Sequence, residues 1–309
     1  MRTPDTITLS STLALAMALA RPASAQTDTA TATTAGDAAP AAAPYSLPFG
    51  LRGVAPVNVV RVDTVLAFAN PTTSLPVLVT ASYKVIPDLA ILARWGVVQN
   101  APKNGKGGFA LTNAAVGGIY GLKLTPDLKL GLFLGFTIPF GSGGGNEPDA
   151  NRRTAVLSGM PARSALDNAM FAVNYLTIFP GIDLAYVAHG FTLQAEVTSL
   201  FLIRVRGDEV DKDAFRLNLT IGLHAGYFLN SAVSFATEIR YQVWLANDTV
   251  KAVADNPAAD NLTFAVGPRF HIKSGDTWLR PGISLAYGLD DPMANQAYTL
   301  VQLDVPFFF

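Results

Sequence analysis

Beyond residue 50 the chain alternates apolar and polar residues with a period of two. Between Phe191 and Arg206 the odd positions read Phe191, Leu193, Ala195, Val197, Ser199, Phe201, Ile203 and Val205. The even positions read Thr192, Gln194, Glu196, Thr198, Leu200, Leu202, Arg204 and Arg206. A strand points successive side chains to opposite faces, so this pattern predicts a strand with one apolar face. Stretches starting at Phe215 and Val233 repeat it. About twelve such segments are predicted, near 57–69, 76–86, 89–99, 109–124, 128–139, 169–188, 191–206, 214–229, 232–246, 262–273, 277–289 and 298–309. Tight turns fall at Ile86-Pro87-Asp88, Thr125-Pro126-Asp127, His189-Gly190, Asn230-Ser231-Ala232 and Ser274-Gly275. The intervening connections, apart from 70–75, are longer. In segment six the polar phase changes at Pro180-Gly181, which predicts a bulge.

Two architectures place apolar faces this way. A sandwich hides them in one core; a transmembrane barrel turns them to lipid, with short turns at one rim and longer loops at the other. The apolar sets run the full length of the segments, and aromatic residues gather near segment ends. Tyr83, Tyr120, Tyr186, Phe270, Phe307 and Phe309 lie toward the turns; Phe68, Phe109, Phe171, Phe215, Tyr241 and Tyr287 lie toward the loops. That is the placement of interfacial girdles. No window of about 18 apolar residues occurs past residue 50. The longest uncharged run, Thr64–Tyr83, is broken by Pro71 and Pro76.

The last residues carry a resemblance. Val301, Leu303, Val305, Phe307 and the terminal Phe309 alternate with Gln302, Asp304, Pro306 and Phe308. This resembles the C-terminal assembly strand of Gram-negative outer-membrane β-barrel proteins. The resemblance implies an all-β, antiparallel transmembrane β-barrel of about twelve strands with short periplasmic turns. It also implies the barrel-assembly machinery as a partner during biogenesis, and outer-membrane lipid and lipopolysaccharide as surroundings. Pro306 lacks a ladder donor and is expected at a bulge near the periplasmic rim.

The first residues read as an export signal. Arg2 precedes an uncharged stretch from Ile7 to Ala20, and Ala23-Ser24-Ala25 is an A-x-A cleavage site. Residues 26–50, rich in Ala, Thr and Pro, are expected as a flexible periplasmic linker, too short to form a plug. The barrel domain is expected over 51–309.

Composition narrows the function. Charged residues make up 15% of the chain and the net charge is -1, which with no basic run argues against nucleic acid as a partner. Cysteine is absent, so thiolate chemistry is excluded. The three histidines, His189, His224 and His271, are dispersed, and no zinc-hydrolase pattern occurs. No metal, cofactor or enzymatic activity is expected. Gly141–Gly145 lacks the Gly-Lys-Ser/Thr ending of a phosphate loop.

Matching lipid-facing sets across the turns sets the register, because a one-residue slip inverts a strand. Asp183 then faces Glu196, His224 faces Glu238, Thr80 faces Arg94, Arg269 faces Arg280 and His271 faces Trp278. Arg61, Asp63, Arg240 and Asp304 fall at a similar height, with Arg216 nearer the loops. Charge at mid-membrane must face the lumen, since a lipid-facing Arg costs about 2–4 kcal/mol there. The inward face therefore carries a charged belt in which bases exceed acids by roughly two to one. Its expected role is a constriction in a passive channel for small hydrophilic, anionic solutes. A plugged structural or adhesive barrel is the alternative, in which the same charges form a satisfied network. The loops are acidic, with Glu147, Asp149, Asp208, Glu209, Asp211, Asp213, Asp248, Asp255, Asp260, Asp290 and Asp291. In the longest loop Arg152, Arg153 and Arg163 are placed to touch lipid phosphate or to fold inward.

Overall fold

The computed structural model describes residues 44–159, 165–207, 214–246, 260–291 and 293–309. The export signal and most of the linker lie outside these residues, as do Arg163, Asp208, Glu209, Asp211, Asp213, Asp248 and Asp255. The strands are β1 (Val59–Ala69), β2 (Thr72–Ile86), β3 (Leu89–Pro102), β4 (Gly108–Leu111), β5 (Ala114–Lys123), β6 (Leu128–Ile138), β7 (Tyr175–Ala188) and β8 (Phe191–Arg204). Then follow β9 (Phe215–Phe228), β10 (Val233–Ala246), β11 (Asp260–Phe270), β12 (Ile272–Ser274), β13 (Thr277–Leu279), β14 (Gly282–Gly288) and β15 (Thr299–Phe308). Helices α1 (Ala150–Ser158) and α2 (Ala165–Phe171) lie between β6 and β7.

Each strand pairs antiparallel with its chain neighbour, and β1 pairs with β15 from Val59↔Phe308 to Phe68↔Thr299. The sheet is thereby closed. β4 with β5, β11 with β12, and β13 with β14 are interrupted single strands, so the wall is a ring of twelve. Closure removes every unpaired edge, which is what lets a sheet sit in lipid. No helix among the described residues is long and apolar enough to cross a membrane.

Faces separate as the alternation predicts. Along β8, Phe191, Leu193, Val197 and Phe201 are exposed, while Thr192, Gln194, Glu196, Thr198, Leu200 and Leu202 are buried. The same division holds on β7, where Ile178, Ile182, Leu184 and Tyr186 face outward.

Several local expectations are corrected. Residues 169–174 do not extend β7: Ala169–Phe171 belong to α2, and Phe171 is buried, so it is no girdle residue. No bulge occurs at Pro180-Gly181, because Pro180 and Gly181 stay in register with Leu134 and Phe133. The apparent phase change arises at Phe179, an apolar side chain that faces inward against the loop helices. Pro306 sits in unbroken register with β1; the irregularity is in its other neighbour, at Arg280-Pro281 between β13 and β14. Ladder bulges fall instead at Lys84/Ile86 and Trp244/Ala246. Arg269 faces Gly282, not Arg280, and Trp278 faces Lys273, not His271. The turn there is Gly275-Asp276, with Gly275 at φ 58°, a left-handed conformation that suits glycine. The shift is two residues, so faces are preserved.

Candidate functional site: a lumen closed from both rims

Among the described residues, the two loop helices and the segment before β1 pack into the barrel, and Met293 of the β14–β15 loop packs against inward Val65, Ala265, Ala286 and Leu300. From the loop rim, α1 and α2 pack into the lumen. Asp149 caps α1, its carboxylate accepting from the Asn151 amide at 2.9 Å. Ala155 and Val156 of α1 and Met170 and Phe171 of α2 form one apolar core with inward Leu78, Val98, Phe179, Leu200 and Leu202. Inward-facing leucines are anomalous in a water-filled pore and are explained by this cover. Arg152 and Arg153 do not enter the lumen; Arg152 pairs with Glu147 at 3.0 Å and Arg153 donates to the Glu147 carbonyl.

From the short-turn rim, residues 44–57 form an inner strap. Ser46 meets Thr192, beside the His189-Gly190 turn, and Val57 meets Ser82, toward the Pro87-Asp88 turn. Between these points the chain reaches up to the charged belt. Phe49 and Val54 are each 1% exposed. The end of the expected linker thus lies inside the barrel, and the expectation that so short a segment forms no plug does not hold.

The strap has no ladder and no helix, so its backbone polar groups need other partners. The wall supplies them. Glu238 accepts from the Phe49 amide and from the Gly50 amide, the latter at 3.0 Å. Glu196 accepts from the Arg52 amide at 2.8 Å. Gln194 donates to the Arg52 carbonyl at 2.7 Å and Gln302 to the Phe49 carbonyl at 2.9 Å. Arg269 reaches the carbonyls of Leu47 and Pro48, each at 3.3 Å, and Arg61 those of Pro48 and Phe49. His224 Nε2 lies 3.0 Å from the Ser46 carbonyl. Inward glycines make room: a β-carbon at Gly121, Gly181, Gly222 or Gly226 would collide with Pro56, Arg52, Leu51 or Ser46.

The belt residues form two groups. The first straddles the seam where β1 meets β15. Asp63 and Asp304 face one another there. Arg61 lies 2.8 Å from Asp63 and 3.4 Å from Asp304. Arg269, fully buried, grips Asp304 with two nitrogens at 2.8 and 3.1 Å. Such forked pairing is the strong form of the contact. Arg94 bridges Asp63 at 2.6 Å to Asp167 of α2 at 2.8 Å and also donates to Thr80. It therefore ties the loop helix to the seam.

The second group lies on β7, β8, β9 and β10. Asp183 and Glu196 are direct cross-strand partners, as are His224 and Glu238. Arg52 of the strap stands at 3.2 Å from both Asp183 and Glu196, with its guanidinium 4.4 Å from the centre of the Phe133 ring. Arg240 lies 3.5 Å from Glu238, and His224 Nδ1 lies 3.7 Å from it. The Arg280 carbonyl accepts from Arg269 of the seam group at 2.8 Å. Arg216 lies over Tyr175 at 5.2 Å; Arg280 lies over Trp278 at 4.9 Å and Phe308 at 5.0 Å, near the short-turn rim.

Face matching brought the wall residues together; it missed Arg52 and Asp167, which come from outside the wall. Between strap, α2 and wall lies a cavity of about 120 Å³ lined by Phe49, Arg52, Arg61, Arg94, Leu166 and Phe308. Pockets that hold drug-sized molecules measure about 300–1,000 Å³. This cavity is too small for such solutes.

No family model and no curated protein matches the chain. Solved structures match it in fold. An outer membrane channel from Pseudomonas putida F1 superposes with a TM-score of 0.55 at 14% identity, covering 89% of this chain and 100% of that one. A NanC porin superposes with a TM-score of 0.50 at 11% identity, covering 81% of this chain and 100% of that one. The chain is a closed, twelve-stranded antiparallel β-barrel with the fold of outer-membrane porins and channels.

Proposed function

We propose that the protein is an outer-membrane channel for small hydrophilic solutes, held shut by the inner strap and opened when the strap withdraws. The observation that carries this reading is the way the strap is bound. It is an irregular segment held by side chains of the wall, through hydrogen bonds to its backbone, including those from Arg61 and Arg269, and through the Arg52 guanidinium. The strap buries apolar Phe49, Leu51 and Val54 as well, but filling a barrel does not require the polar attachments beside them, since replacing buried ion pairs with apolar contacts is often neutral or stabilising. Withdrawal returns these polar partners to water, at the cost of exposing Phe49, Leu51 and Val54 of the strap. Permeation then proceeds by diffusion past the belt, with no energy coupling.

In this reading residues 1–25 direct export, with cleavage after Ala25. The alternating C-terminal residues Val301, Leu303, Val305, Phe307 and Phe309 serve as the assembly signal, and lipopolysaccharide and lipid surround the apolar face. The charge preference depends on the wall a solute meets. Arg61, Arg94 and Arg269, from which an anion preference is expected, are already matched by Asp63, Asp167 and Asp304. An anionic group must compete with those carboxylates, so anion preference should be weak. The purified protein in planar bilayers should show discrete, infrequent openings. Folded, heat-modifiable protein that never conducts, even with the strap destabilised, would leave the structural or adhesive reading in its place.

A further inference from the structure

The middle of the strap rests in the lumen on a site that has the makings of a receptor for a cation. Asp183 and Glu196 sit side by side on β7 and β8, 0% and 2% exposed. Among the described residues, the one cation either of them meets is Arg52. The Phe133 ring closes the third side against the guanidinium face, the geometry in which a ring quadrupole attracts a planar cation. Gln194 and the Glu196 carboxylate take the backbone carbonyl and amide of the same residue. The wall thus reads a whole arginine, both its side chain and its peptide group.

When the strap leaves, two facing carboxylates lose their counter-charge within a narrow barrel, and like charges so placed favour uptake of a cation. The seam group is not so exposed, because its arginines and aspartates all remain except for their strap contacts. We propose that Asp183, Glu196, Phe133 and Gln194 form a solute-binding site for guanidinium compounds, for which Arg52 is the built-in competitor. A free guanidinium solute that takes the site displaces the strap, so binding and opening are coupled. This rests on the gated-channel reading and adds the class of solute.

The test compares L-arginine with L-citrulline, which has the same length but a neutral urea in place of the guanidinium. Single-channel currents are recorded from the full chain and from Arg52→Ala, with Arg52→Gln as a second variant should the first fail to fold. Calorimetric titration of the same preparations with both compounds gives a readout that does not need conduction. L-arginine should interrupt the current of the Arg52 variants with residence times at least about tenfold longer than L-citrulline, given a charge-assisted pair in place of a neutral one. It should raise the opening frequency of the full chain, and Asp183→Asn with Glu196→Gln should abolish both effects. Variants that conduct but treat the two compounds alike, in current and in calorimetry, would overturn the guanidinium site and leave the channel reading intact. Channels that never open in any variant would overturn the channel reading; calorimetry would still decide the site, by binding arginine over citrulline or failing to.

Discussion

Arg52→Ala should turn a mostly closed barrel into a mostly open one. In the native protein the Arg52 guanidinium lies at 3.2 Å from both Asp183 and Glu196. Removing one partner of a buried ion pair costs about 3–5 kcal/mol, because the remaining charge stays buried without compensation. Here the cost falls on the strap-in state alone. With the strap withdrawn, water reaches the two carboxylates and the penalty is relieved. An equilibrium displaced by about 3 kcal/mol changes on the order of a hundredfold, so open probability should rise until it saturates. The barrel itself should persist, since its ladder does not pass through the strap. Single-channel open probability checks this, and an unchanged value would show that Arg52 does not hold the strap.

Asp304→Ala should have the largest effect on stability. Asp304 faces Asp63 across the seam that closes the ring, and both are fully buried. Asp304 holds Arg269, itself 0% exposed, and the nearby Arg61. Its loss leaves Arg269 without a carboxylate at the point where the first and last strands meet. The expected cost is about 3–5 kcal/mol. It should appear as a lower urea midpoint for conversion of the fast-migrating folded band to the unfolded one. Arg52→Ala, whose burden is relieved by strap release, should shift that midpoint less. Equal shifts in the two variants would contradict the division of the belt into a seam group and a strap group.

Much of this was legible in the residues, for a physical reason. A barrel wall has period two and one lipid-facing side, so alternation specifies which residues face inward. Face matching across tight turns then specifies neighbours. Asp183 with Glu196, His224 with Glu238 and Thr80 with Arg94 all follow from that rule. It stumbled by two residues at Ser274, where the identity of the turn pair, not the face, sets the register.

The contents of the lumen were harder to read because they obey no period. The strap is irregular chain, and its partners are scattered over many strands. A signal was nevertheless present. Residues 26–43 are almost all small or polar, whereas Tyr45, Leu47, Phe49, Leu51 and Val54 are large and apolar in a segment that precedes the first strand. Such residues need burial. Inward-facing Gly121, Gly181, Gly222 and Gly226 mark where another backbone approaches the wall. Inward-facing Leu78, Phe179, Leu200 and Leu202 similarly mark the apolar floor under α1 and α2. Breaks in the polar phase of the inner face therefore mark its contents, not defects in the strands.

The absence of native cysteine makes the central claim directly measurable. Leu51 of the strap packs onto Gly222 of β9, and the Leu51 γ-carbon lies 3.0 Å from where a Gly222 β-carbon would stand. One further carbon–carbon bond, about 1.5 Å, brings the two β-carbons within about 4.5 Å, inside disulfide range. In the Leu51→Cys, Gly222→Cys protein, an oxidised bond should pin the strap in the lumen. Bilayers holding oxidised protein should be silent, and adding reductant to the same bilayer should restore discrete openings. Equal conductance before and after reduction, with the crosslink confirmed by mass, would show that the strap does not gate the barrel.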